Sequence, residues 1–94
     1  RALIVAEKSK ATSSLKKEVE KLEAEISKLE EALDHEQNEL TIATNKGDNN
    51  KTIELLRNIN KYEKDIEVKF SALEISQTKL DDMNKEFEKR MNEV

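Results

Sequence analysis

From Leu15 onward, apolar side chains recur at intervals of 4, 3, 4, 3 and 4 residues, through Val19, Leu22, Ile26, Leu29 and Leu33. That spacing sets all six on one stripe of an α-helix. It is the a/d seam of a coiled coil, with Leu15 at d and Val19 at a. Carried outward, the seam meets Glu36, Leu40 and Ala43 and weakens there. A second line occupies the other half: Ile59, Ile66, Leu73, Leu80, Phe87 and Val94 fall seven residues apart. Read as d, this line is accompanied at a by Leu56, Glu63, Phe70, Gln77, Asn84 and Met91. Half of those a residues are polar. Polar groups on a seam cost stability but restrict the registers and partners it accepts.

The two seams are out of phase. Extended from Ala43, the first predicts a d residue at position 57, whereas the second has Ile59, a displacement of two. Stutters and stammers insert four or three residues, so a shift of two does not fit a continuous helix. The stretch between the seams, TNKGDNNKT, holds Gly47, the chain's single glycine, and there is no proline anywhere. A turn resets the register. Asn45 or Gly47 suits the left-handed end of a first helix, and Asp48, Asn49 and Asn50 are N-cap residues for a second.

The predicted fold is therefore all-α: a long two-helix antiparallel coiled-coil hairpin with its turn near Gly47. Helix 1 spans about residues 2–45, the turn about 46–49 through Gly47, Asp48 and Asn49, and helix 2 about 50–94. Facing residues then have numbers adding to about 95. Leu29 meets Ile66, Ile26 lies near Phe70, Leu22 meets Leu73 and Leu15 meets Leu80. Toward the open end Val5 faces Met91, and the stem of Lys8 can cover Phe87. Two pairs are mismatched, Val19 with Gln77 and Glu36 with Ile59. The packing seam comprises Leu15, Val19, Leu22, Ile26, Leu29, Leu33, Ile59, Ile66, Phe70, Leu73, Leu80 and Phe87. Asp65 with Lys69, Asp81 with Lys85 and Glu86 with Arg90 make acid-first i,i+4 pairs along helix 2.

Composition agrees with a thin core. Hydrophobic residues make up 35 % of the 94 residues, charged ones 40 %, and the only aromatics are Tyr62, Phe70 and Phe87. One compact domain of this length needs more apolar material to offset the entropy of ordering its chain. There is no cysteine, hence no disulfide or thiolate chemistry. No apolar run approaches the roughly 20 residues that span a bilayer, so no membrane partner is expected. The chain starts with Arg rather than Met and reads as a fragment of a larger protein.

Catalytic constellations are missing. His35 with Glu39 four residues on would offer two ligands on one helix face, whereas catalytic zinc uses three protein ligands, so no metal or other cofactor is expected. The paired acids Glu30-Glu31 and Asp81-Asp82 have no pocket to shift their pKa values on an exposed helix. Asn50-Lys51-Thr52 fits the glycosylation pattern, a triplet that recurs by chance. No enzymatic activity is predicted. The net charge of −4 argues against general nucleic-acid binding, but Lys8, Lys10, Lys16 and Lys17 form a basic segment without acids. They are the candidate nucleic-acid contacts, suited to salt-sensitive phosphate binding rather than base reading.

The stretch SSLKKEVEKLEAEISKLEEAL, a polar turn, and then IELLRNINKYEKDIEVKFSALE resembles the C-terminal coiled-coil arm of ATP-binding-cassette proteins of the F subfamily. In that family two nucleotide-binding domains precede a two-helix hairpin, whose second helix closes on an aromatic residue followed by a leucine and an acid. Phe70, Leu73 and Glu74 stand at those places, with Phe70 where the family usually has tryptophan. The resemblance covers about residues 13–75. It implies a cytoplasmic ATPase whose arm contacts the ribosome or nucleic acid, and it assigns no catalytic residue to this chain. The alternative is an architectural stalk, or a coiled coil that docks a protein partner. A homodimer is a further option, because two-helix hairpins often gain from pairing into four helices; Leu33, Leu40, Leu55 and Tyr62 would widen the stripe for it.

Overall fold

The computed structural model describes the backbone of residues 2–93 and, within it, the side chains other than those of 2–6, 8, 11 and 93. It contains two helices, α1 (Ala2–Lys46) and α2 (Asn49–Glu93), each of 45 residues. Residues 2–14 thus belong to the first helix. The sequence-predicted Val5–Met91 and Lys8–Phe87 pairs, and Val94 on the second line, fall outside the described side chains.

Only Gly47 and Asp48 separate the helices. Gly47 has φ +70°, the one positive φ among the described residues. Its N–H donates to the Thr44 carbonyl at 3.1 Å, and the Asp48 N–H donates to the Ala43 carbonyl at 3.0 Å. These two bonds satisfy carbonyls that the end of α1 would leave open, and they need a left-handed residue between them. Asp48 then starts α2. Its carboxylate accepts from the Lys51 N–H at 3.1 Å, and its carbonyl accepts from the Thr52 N–H at 3.0 Å and the Thr52 hydroxyl at 2.8 Å. One residue ends a helix and the next begins another, so the reversal needs no longer loop.

The helices pack as two compact units. One comprises Ala24–Phe70, and the other Arg1–Glu23 with Ser71–Val94. In the turn-bearing unit, Ile26, Ala43, Leu55 and Ile59 are buried, and Leu29, Leu33, Leu40, Tyr62 and Ile66 are half-buried. Glu25 pairs with Lys69 across the helices, and Asn58 Nδ2 donates to Glu36 Oε2 at 3.5 Å. Both contacts join residues whose numbers add to nearly the predicted 95. In the other unit, Val19, Leu22, Leu80 and Phe87 are buried with Thr12, which is 1 % exposed, and Leu15, Leu73 and Met83 are half-buried.

The first helix keeps the predicted seam, and Thr12 extends it by one a position. The second helix keeps only the far end of its secondary line: Asn84 and Met91 are half-buried, whereas Leu56, Glu63, Phe70 and Gln77 are exposed. Phe70, expected in the seam, is 48 % exposed, and Leu56 is 51 % exposed. The inward line is one residue earlier: Leu55, Tyr62, Lys69, Ser76, Met83 and Arg90. Leu55 is 3 % exposed and is core rather than a margin for self-association, and Tyr62 is half-buried. The reason is geometric. In an antiparallel pair, reversal sets the a line of one helix against the d line of the other. The Glu25–Lys69 and Glu36–Asn58 contacts set Ile59 and Ile66 level with the d residues Glu36 and Leu29, so the line of Ile59 and Ile66 occupies a, and its d companions lie four residues earlier.

That shift removes one expected mismatch and changes the ion pairs. Gln77 is exposed and donates to Asp81 at 3.1 Å, while Ser76 takes the inward place. Lys69 and Arg90 reach across to Glu25 and Glu7 of α1, the second at 2.9 Å. Their stems can cover the seam while their charges stay at its edge. Arg90 also lies 5.2 Å from the centre of the Phe87 ring.

Two substitution pairs check this description by urea unfolding. Gly47→Ala should cost about 1 kcal/mol, because a Cβ meets nothing within 4 Å and only the left-handed backbone resists it. Asp48→Ala should cost about 1 kcal/mol through the lost cap. Leu55→Ala should cost about 2–3 kcal/mol, whereas Leu56→Ala should stay within about 0.5 kcal/mol. Equal effects at 55 and 56 would refute the register.

Candidate functional site

The two helices of the turn-bearing unit present two chemically different sides near the tip. On one side the g positions of both helices meet, in a shallow groove lined by Glu39, Ile42, Ala43, Lys46, Asp48 and Lys51. Lys51 Nζ lies 3.8 Å from a Glu54 carboxylate oxygen. The Glu25–Lys69 pair and the Asn58–Glu36 contact belong to this same side, since Glu25 and Asn58 are also g residues. It is the charged side.

The opposite side is built from the b and e positions. Helix α1 contributes Gln37, Thr41 and Thr44, and α2 contributes Ile53, Leu56 and Asn60, all exposed. None of the six carries a charge, in a chain that is 40 % charged. The threonine hydroxyls turn inward. Thr41 Oγ1 donates to the Gln37 carbonyl at 3.2 Å, and Thr44 Oγ1 lies 3.0 Å from both the Leu40 and the Thr41 carbonyls. With those donors occupied, the surface offers methyl groups beside the aliphatic side chains of Ile53 and Leu56. Acids border it toward the base of the unit: Glu30 and Asp34 on α1, Glu63 and Glu67 on α2.

Of the candidate nucleic-acid contacts, Lys10, Lys16 and Lys17 are exposed on outward positions of α1 in the other unit, and the side chain of Lys8 lies outside the described residues. Lys10 and Lys17 are seven residues apart and share a line, with Lys16 beside it. His35 is exposed, and no group of three or more His, Cys, Asp or Glu among the described residues is placed to hold a metal ion. Asn50 and Lys51 of the glycosylation triplet are exposed in the first turn of α2, while the Thr52 hydroxyl is engaged by Asp48. In the unit with the chain ends, the Asn84 side-chain oxygen is shut off from solvent without a hydrogen-bond partner.

Sequence reasoning missed the uncharged side because it searched for reactive residues and for the seam. The signal was present: Gln37, Thr41, Thr44, Ile53, Leu56 and Asn60 all sit one step outside the buried line. It becomes readable once the correct d companions are assigned, because Leu56 then moves from the core to its flank.

Fold and surfaces together define a two-helix coiled-coil hairpin. No family model, no curated protein and no solved structure matches the chain. Among the described residues no helix is long and apolar enough to cross a membrane.

Proposed function

We propose that this chain is a non-catalytic coiled-coil arm that mediates a macromolecular contact for a larger protein, with a protein partner at the uncharged side of its tip. The observation that carries the reading is the separation of charge there. Glu39, Lys46, Asp48 and Lys51 line one side, while Gln37, Thr41, Thr44, Ile53, Leu56 and Asn60 leave the other bare. Solvated helices of charged proteins ordinarily scatter charge over all outward positions. Exposed aliphatic groups without charges suit a surface that another molecule desolvates. A cytoplasmic ATP-binding-cassette protein of the F subfamily as the parent rests on the resemblance of residues 13–75 alone, and a stalk between two domains would use the same hairpin.

The second reading is contact with the ribosome or nucleic acid through Lys10, Lys16 and Lys17, which share an outward stretch of α1. Fluorescence anisotropy with single-stranded DNA, duplex DNA and an RNA hairpin separates the two. Three phosphate contacts predict a log–log salt slope of about −2 to −3, abolished in the Lys10→Gln/Lys16→Gln/Lys17→Gln variant. The protein-contact reading predicts no saturable binding even at low salt. It also predicts that the uncharged side is dispensable for folding. Ile53→Lys/Leu56→Lys should leave the helical circular dichroism of the dilute chain unchanged, and a loss of helicity would make these residues core rather than contact surface.

A further inference from the structure

We propose that the uncharged side of the tip docks a second copy of this chain, the two hairpins meeting head to head. This rests on reading that side as a contact surface and names its occupant. A partner that covers Gln37, Thr41, Thr44, Ile53, Leu56 and Asn60 must bring no charge of its own, because nothing on the surface could compensate one. The same six residues of a second chain meet that requirement, and a two-fold axis sets them against themselves. The surface also runs on directly from the core. Leu56 adjoins Leu55, and Ile53 and Leu56 flank the Thr52, Leu55 and Ile59 line that packs on α1. A second hairpin laid there would convert two helices into four, the arrangement in which both faces of such helices are covered. The single chain has reason to gain from it. Among the described residues only eight hydrophobic side chains are buried, a thin core for this length.

Charge sets the orientation. Glu30, Asp34, Glu63 and Glu67 edge the surface toward the base of the unit. Two hairpins side by side with tips together would place these acids against one another. Reversing one hairpin overlaps only the tips and keeps the acids apart. Overlap of a few helical turns buries less than the roughly 800 Å² per partner of a standard interface, so the dimer is weak, with Kd on the order of 10–100 µM.

Sedimentation equilibrium on the full chain across that concentration range tests the proposal. A monomer–dimer equilibrium is expected for the natural sequence. Ile53→Lys/Leu56→Lys should raise Kd at least about tenfold, which is about 1.4 kcal/mol of association. Val68→Lys/Ile75→Lys, which charges two still more exposed apolar residues off this surface, should leave it unchanged. Spin labels at Ser27→Cys, an exposed site on the same side of α1, should lie more than about 30 Å apart between chains, since each is some 20 residues from the tip at 1.5 Å per residue. A monomer throughout overturns self-docking, and if Ile53→Lys/Leu56→Lys keeps its helicity the contact-surface reading stands without it. A dimer indifferent to Ile53→Lys/Leu56→Lys, or one lost in Val68→Lys/Ile75→Lys, overturns this surface as its seat. A short distance between labels at residue 27 overturns the head-to-head orientation.

Discussion

The two-residue junction at Gly47 and Asp48 is the constraint on which the turn-bearing unit depends. The left-handed Gly47 lets two amide groups turn back onto the Ala43 and Thr44 carbonyls, and Asp48 spends both its carboxylate and its carbonyl on the first turn of α2. A helix end leaves four carbonyls open and a helix start leaves four N–H groups open. Here adjacent residues address both ends, so the chain reverses without an intervening loop. Because the junction fixes which residue of α2 first faces α1, it also fixes the register along the unit. A longer, looser connection would allow neighbouring registers that bury a different line.

From that register follows the division of labour along α2. One line is apolar: Ile59, Ile66, Leu73, Leu80 and Phe87. Its companion mixes apolar Leu55, Tyr62 and Met83 with Lys69, Ser76 and Arg90. The two cations do not sit as buried charges. Lys69 finds Glu25 and Arg90 finds Glu7, each at the edge of the seam with its aliphatic stem available for packing. Exposed pairs of this kind add little to stability. Their value is selective, since slipping the helices past one another would leave these charges without acids or press them into the apolar line.

The same register decides what the surface displays. Residues that alternate with the core on α2 become its flanks, and near the tip those flanks are uncharged on both helices. On the opposite side Glu39, Lys46 and Lys51 surround the groove beside Ile42. A tip with one charged and one uncharged side offers an uncharged partner less to desolvate on the second side than on the first. The contact proposed here depends on this asymmetry, and it arises from the way the turn phases two periodic sequences rather than from any single residue.

By itself the amino-acid sequence determined the elements: two helices, from the seven-residue recurrence of apolar side chains, and a reversal at the lone glycine, from the displaced phase and the cluster of capping residues. It also determined the α1 seam, because Leu15 to Leu33 leave no competing stripe. The second line of α2 was different. Leu56, Glu63, Phe70 and Leu55, Tyr62, Lys69 are equally mixed, and counting apolar residues does not choose between them. Packing chose, because an antiparallel partner sets a against d, and the levelling of Ile59 with Glu36 and Ile66 with Leu29 forces the Leu55 line inward and leaves Phe70 at the surface. The helices were legible because periodicity is a property of one segment. The surface was not, because which side of a helix meets solvent depends on the register against its neighbour, and only the tertiary structure decides that.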